Sequence, residues 1–126
     1  MGKTGATGLT RIINAFGYSM QGIRAALKHE SAFRQEVFLF FVMLPAAIWL
    51  GRNWLDYILL IGCLLLVLIV ELLNSAVEAV VDRVSDDYSE LAGRAKDMGS
   101  AAVFISLANV FLVWGLIAYD RFIYTT

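Results

Sequence analysis

Apolar and polar positions along the chain fall into two regimes, a helical period near the N-terminus and then three long apolar runs. Residues 1–9 hold Gly2, Gly5 and Gly8 with no apolar stretch, and read as a tail rather than a cleavable signal peptide. From Thr10, a residue type that caps helices, Ile12, Ile13, Phe16, Met20, Ile23 and Leu27 recur at spacings of three and four. Arg11, Asn14, Gln21, Arg24 and Lys28 fall largely on the other side. This period predicts an amphipathic helix over 10–29, of the kind that lies in the plane of a membrane interface.

The three runs predict membrane spans. Val37 to Gly51 is uncharged, but at about 15 residues it is short of the roughly 20 that a bilayer needs. The first span therefore takes in Phe33 and the stems of Arg34 and Gln35, giving 33–51, with Gly51-Arg52-Asn53 as a tight turn. The second starts at Trp54, is uncharged from Tyr57 to Val70, and keeps its helical pattern to Val81, giving 54–81. Residues 82–96 begin with the polar run DRVSDDYSELAG and are expected to form a loop. The third span, 97–120, is uncharged from Met98 to Tyr119, roughly 33 Å at 1.5 Å per residue. The expected architecture is a single all-α membrane domain over 1–126, with three transmembrane helices and an N-terminal amphipathic surface helix.

Composition supports the bilayer as the solvent. Of 126 residues, 60% are hydrophobic and only 17% charged, with a mean hydropathy of +0.71. So small a chain could not enclose that much apolar surface in a water-soluble core. The net charge of −1, with no basic block, excludes nucleic-acid binding as the main role. Cys63, the lone cysteine, lies in an apolar run and offers neither a disulfide framework nor a cysteine-rich metal site. The cations are lopsided: Lys3, Arg11, Arg24, Lys28, Arg34, Arg83, Arg94 and Lys96 fall on one side of a three-span topology, and Arg52 and Arg121 on the other. Positive charge collects on the cytoplasmic face, so the N-terminus and the 82–96 segment are expected there.

Acidic residues at the cytoplasmic ends of the spans carry the chemistry. Glu71, Asn74 and Glu78 stand at i, i+3 and i+7 and share one helix face. Glu71 lies about 25 Å along the helix from Trp54, just inside the cytoplasmic boundary, and Glu78 two turns further out, about 10 Å. A carboxylate flanked by apolar residues in a membrane helix is costly unless it is used. Glu30, Glu36, Lys96 and Asp97 reach the same level from other segments. Asp97 is also placed to complement a helix dipole in a first turn, and Lys96 to serve as a plain interfacial anchor. Taken together, the carboxylates, lysine and arginines are the inventory for a divalent cation with a polyphosphate. His29 reads as a polar surface residue, and Trp49, Trp54, Tyr57 and Tyr119 as an interfacial aromatic belt. No GxxxxGK[ST] phosphate loop is present.

Two segments then carry a family likeness. Glu71-x-x-Asn74-Ser75-Ala76-Val77-Glu78-Ala79-Val80-Val81-Asp82-Arg83, followed by Gly93-Arg94-Ala95-Lys96-Asp97-Met98-Gly99-Ser100-Ala101-Ala102-Val103, resembles the prokaryotic integral-membrane diacylglycerol kinases. Thr10-Arg11-Ile12-Ile13, Gly17-Tyr18-Ser19 and Glu30-x-Ala32-Phe33-Arg34-Gln35-Glu36 agree in order and spacing. The likeness spans roughly residues 9–103. Two positions depart from the common pattern: Met20 stands where Trp is usual, and Ser85-Asp86-Asp87 where a Gly-Ser-Glu-like run is usual.

The resemblance implies an ATP-dependent lipid kinase that converts diacylglycerol to phosphatidic acid, assembled as a homotrimeric bundle with active sites shared between subunits. A trimer would also shield Glu71, which three helices alone are expected to cover poorly. By motif position Glu71 would be the general base, with Asn74 beside it. Glu30 and Glu78 would hold Mg²⁺. ATP would be contacted by Arg11, Tyr18, Glu30, Glu78, Asp87, Tyr88, Ser89, Lys96 and Asp97. The lipid would meet Arg11, Ser19, Arg24, Phe33, Arg34, Gln35, Glu36, Trp49, Tyr57, Glu71, Ser100 and Trp114. The resemblance places the enzyme in the bacterial inner membrane. Its nearest rival is a kinase of the same family acting on undecaprenol, and a rival from another class is a membrane channel or scaffold in which Glu71 lines a pore.

Overall fold

A computed structural model of the chain describes residues 7–84 and 89–124. They form helices α1 (Gly8–His29), α2 (Ser31–Leu50), α3 (Trp54–Val84) and α4 (Glu90–Tyr119), closed by a π-helical turn over Asp120–Tyr124. No strand occurs among the described residues. Three helices are long and apolar enough to cross a membrane, Ser31–Leu50, Trp54–Val84 and the unit Glu90–Tyr124.

The element boundaries follow from local chemistry. α1 begins at Gly8 with Thr7 in the cap position, so Thr10 sits inside the first turn and does not cap. Between α1 and α2 only Glu30 leaves the helical region (φ −117°, ψ 106°), while its N–H still donates to Ala26 O at 2.9 Å. α2 does take in Phe33, Arg34 and Gln35. Its 20 residues reach about 30 Å, the thickness of a hydrocarbon core. Pro45 lies inside it without ending it, as membrane helices tolerate.

The expected loop over 82–96 is corrected at its two ends, while residues 85–88 lie outside the described residues. Residues 82–84 close α3 and residues 90–96 open α4, with Ser89 accepting the Ala92 N–H at 3.1 Å as its N-cap. A polar helical turn that stands clear of the apolar slab looks like a loop by hydropathy, and the Ser89 cap is the signal that it is not. Asp97 is thereby moved from a first turn to the third turn of α4, and Glu90 takes the dipole-facing position. At 31 and 30 residues, α3 and α4 reach about 45 Å, roughly 15 Å beyond a hydrocarbon core. The polar extensions lie at the end where α1 joins α2.

α3 is the inner helix. A third of its most apolar window is buried, against 17% for α2 and 11% for α4. It packs mainly on α4 and then on α2, with lighter contacts from α1. Leu60, Cys63, Leu64, Val67 and Glu71 form its buried stripe. At the end away from α1, Leu60 meets Ala47, Leu50 and Ile117 in the core. Large apolar side chains such as Phe104 and Phe111 (71% and 80% exposed) face outward, a surface suited to lipid or to another chain and not to water.

Candidate active site

The joint between α1 and α2 stands beside the C-terminal half of α3, and a cleft of about 350 Å³ opens between them. Its walls are His29, Glu30 and Ser31 from the joint, Glu71, Asn74 and Glu78 from one face of α3, and Ser100 and Val103 from α4. The i, i+3, i+7 face expected from the sequence is therefore real and looks into a cavity. Glu71 is 4% exposed; the Ser75 hydroxyl donates to its Oε2 at 3.4 Å. One chain suffices to bury it, so the expectation that Glu71 needs a second subunit for shielding is corrected. Phe33, near the start of α2, is also buried.

Glu36 approaches Glu71 from α2, within hydrogen-bonding range. Its Oε1 is buried and no donor among the described residues reaches it. Two ionised carboxylates offer each other acceptors alone, and one shared proton lets either donate to the other; in both cases the buried Glu36 Oε1 is left open to a donor such as a hydroxyl. Asn74 Oδ1 is likewise buried without a partner. At the outer edge, the Lys96 ammonium pairs with Asp82 at 2.7 Å and feels the charge of Glu78. Among the described residues no group of three or more acidic, His or Cys side chains forms a ready metal cage. Glu30 and Glu78 do share the cleft, and two carboxylates completed by substrate phosphates fit the way proteins hold Mg²⁺.

Other expected site residues go elsewhere. Arg34 donates to Leu27 O at 2.8 Å and Lys28 O at 3.1 Å, so its guanidinium caps the C-terminus of α1. Gln35 and Asp97 are exposed, as are Arg11, Tyr18 and Arg24 along α1. Ser19 bonds its own helix at Ala15 O (3.0 Å) and lines a groove between α1 and α3 that also reaches His29 and Glu30. Ser89 is engaged as a helix cap, and Asp87 and Tyr88 lie outside the described residues. Trp49, Tyr57 and Trp114 are not brought to the carboxylates. Trp49 stacks near Arg121 and Phe122, and the Tyr57 hydroxyl donates to Gly51 O at 3.1 Å. Trp114 donates to Leu60 O at 3.2 Å, in an apolar groove that has Glu36 at its opposite end.

Sequence reasoning missed His29 as a wall of the cleft, which its adjacency to Glu30 could have suggested. It also missed a polar cluster at the far end. There Arg52 bridges Asp56 (3.6 Å) and Asp120, and the Asn53 side chain accepts the Asp56 N–H at 2.9 Å. Asn53-x-x-Asp56 ahead of an apolar run is a capping signature that was there to be read.

Fold and site together define a protein with three helices able to span a membrane and carboxylates gathered at one end of them. Comparison with known proteins makes that class specific. The family model described as prokaryotic diacylglycerol kinase matches residues 17–118. The chain is 52% identical over 113 residues to a diacylglycerol kinase of Haemophilus influenzae, covering 90% of this chain and 96% of that one. It is 50% identical over 116 residues to the diacylglycerol kinase of Escherichia coli K12 (92% and 95% covered) and 51% identical over 113 residues to that of Pseudomonas aeruginosa (90% and 92%). The chain belongs to the prokaryotic diacylglycerol kinase family, lipid kinases that phosphorylate diacylglycerol. The channel or scaffold reading is set aside by that membership.

Proposed function

We propose that the chain transfers the γ-phosphoryl group of ATP to the free hydroxyl of diacylglycerol at the cytoplasmic edge of the membrane. The observation that carries this reading is the placement of Glu71, buried in a membrane helix yet sharing one cleft with Glu30 and Glu78. The lipid hydroxyl enters at the Glu36–Glu71 pair, whose unpartnered acceptor matches a hydroxyl donor. Glu71 takes the hydroxyl proton as the oxygen attacks phosphorus, and the β–γ bridging oxygen leaves with ADP. Glu30 and Glu78 would hold Mg²⁺, which supplies charge neutralisation to the phosphates. Lys96 adds positive charge from α4, and Asn74 and Ser100 add donors. Arg11 and Tyr18 extend the ATP contacts along α1.

The outward apolar stripe of α1, with Ile12, Ile13 and Phe16 each more than 60% exposed, supports its lying on the membrane as a surface helix. The cation asymmetry supports a cytoplasmic N-terminus. The unburied flanks of α2 and α4 leave room for the homotrimer that the family resemblance implies.

The test is lipid phosphorylation in mixed micelles with radiolabelled ATP, offering diacylglycerol and undecaprenol together, with and without EDTA. Labelled phosphatidic acid, abolished by EDTA and restored by Mg²⁺, is the expected result. Label in the prenol instead, or metal-independent transfer, overturns the substrate or the metal assignment respectively.

A further inference from the structure

The Asn74 carboxamide lies where α3 crosses α4, and its surroundings distinguish its two ends. A Cβ built on Gly99 would stand 3.1 Å from Asn74 Cγ and closer still to Oδ1. The oxygen therefore rests against the Gly99 Cα, in space that only a glycine leaves open. A Cα–H presented to an oxygen is a weak hydrogen bond that recurs where membrane helices approach closely at small residues. No stronger donor among the described residues reaches Oδ1. The reverse orientation would press the amide hydrogens onto the Cα hydrogens of Gly99. A carboxamide is planar, so an oxygen on Gly99 turns the two Nδ2 hydrogens away from that contact. Asn74 also lines the cleft that holds Glu30, Glu71, Glu78 and Ser100. That cleft already holds three carboxylates, and a transferring phosphoryl group needs donors fixed in advance beside them.

We propose that Gly99 is a positioning residue for phosphoryl transfer: by seating Asn74 Oδ1 it directs Asn74 Nδ2 into the carboxylate cleft, where it donates to the transferring phosphoryl oxygens. The inference rests on the kinase reading given above. It has a property that separates positioning from packing. The atom a Cβ would strike is the tip of a rotatable side chain and not backbone. Gly99→Ala therefore leaves the helix pair in place and swings the carboxamide out of its seat.

The experiment measures kcat, both KM values, thermal stability and oligomeric state for the wild type, G99A, N74A and the double variant in mixed micelles. G99A is expected to lower kcat by about tenfold to a hundredfold, the scale set by misplacing one transition-state donor. Both KM values stay within about threefold and stability is retained, the pattern of an interaction made in the transition state. In the N74A background the same substitution costs less than about twofold, because the group it acts through is gone. Wild-type kcat in G99A overturns the proposal, and so does a G99A loss that persists undiminished beside N74A. Should G99A fail to assemble, Asn74→Asp decides. It keeps an oxygen for Gly99 and removes the Nδ2 donor, so turnover near the wild-type level in N74D is equally contradictory. A wild type inactive on diacylglycerol would sink the kinase reading itself and is told apart by that control.

Discussion

The two ends of the helix bundle both concentrate charge inside or beside apolar helices, and they treat it in opposite ways. At the end near Arg52, opposite charges are matched within the chain. Arg52 bridges Asp56 and Asp120, and the Arg52 N–H reaches Asp56 Oδ2 at 3.0 Å. Arg121 donates to the last carbonyls of α2, Trp49 O at 2.7 Å and Leu50 O at 3.0 Å, where a cation meets the negative end of a helix. At the Glu71 end, like charges are gathered instead. Glu36 and Glu71 face each other, Glu30 and Glu78 share the cleft, and the buried Glu36 Oε1 accepts from nothing among the described residues. Charge that satisfies itself ties helices together; charge left incomplete waits for a ligand. Both ends bear acids and bases, and only their pairing tells scaffold from site.

Short of removing Glu71 itself, that contrast can be broken by three substitutions, taken from the larger expected effect to the smaller. Glu78→Gln removes one of the two carboxylates assigned to the metal. It should lower turnover by about 10²-fold at limiting Mg²⁺, with partial recovery as Mg²⁺ is raised, because the ion's binding and not the base is impaired. A titration of rate against Mg²⁺ identical to wild type would remove Glu78 from the metal site. At the other end Asp56→Ala should do the reverse. It strips the acceptor from the Arg52 N–H and leaves the guanidinium to Asp120, costing about 1–3 kcal/mol of stability, while kcat of the folded enzyme is unchanged. Denaturation of the micellar protein alongside the kinase assay would show it. Smallest of all, Ser89→Ala removes the α4 cap and should cost about 1 kcal/mol, seen as faster amide exchange over Glu90–Arg94. If Ser89 instead served only ATP, exchange would not change and KM for ATP would rise.

Much of this division was legible in the sequence, for reasons that differ by element. The three spans follow from uncharged apolar runs, which the bilayer's thickness converts directly into helices. The shared face of Glu71, Asn74 and Glu78 follows from helical period alone. The polar turns that open α4 were misread as loop, since hydropathy reports solvent and not backbone conformation. Contacts between helices were beyond reach: Glu36 meeting Glu71, Gly99 seating Asn74 and Arg34 capping α1 all depend on how α2, α3 and α4 cross. The far-end cluster was half visible, because Asn53-x-x-Asp56 signals a helix start but not that Asp120 arrives from 68 residues away to meet Arg52.

The central claim is that the incomplete charges at the Glu71 end perform the transfer. Replacing Glu71 by Gln tests it most directly, since the amide preserves size and hydrogen bonding to Ser75 while removing the base. Steady-state phosphorylation of diacylglycerol should fall by about 10²–10⁴-fold, the range for loss of a general base. Thermal stability and oligomeric state should match wild type. Turnover within a few-fold of wild type, in a protein equally folded, would contradict the account.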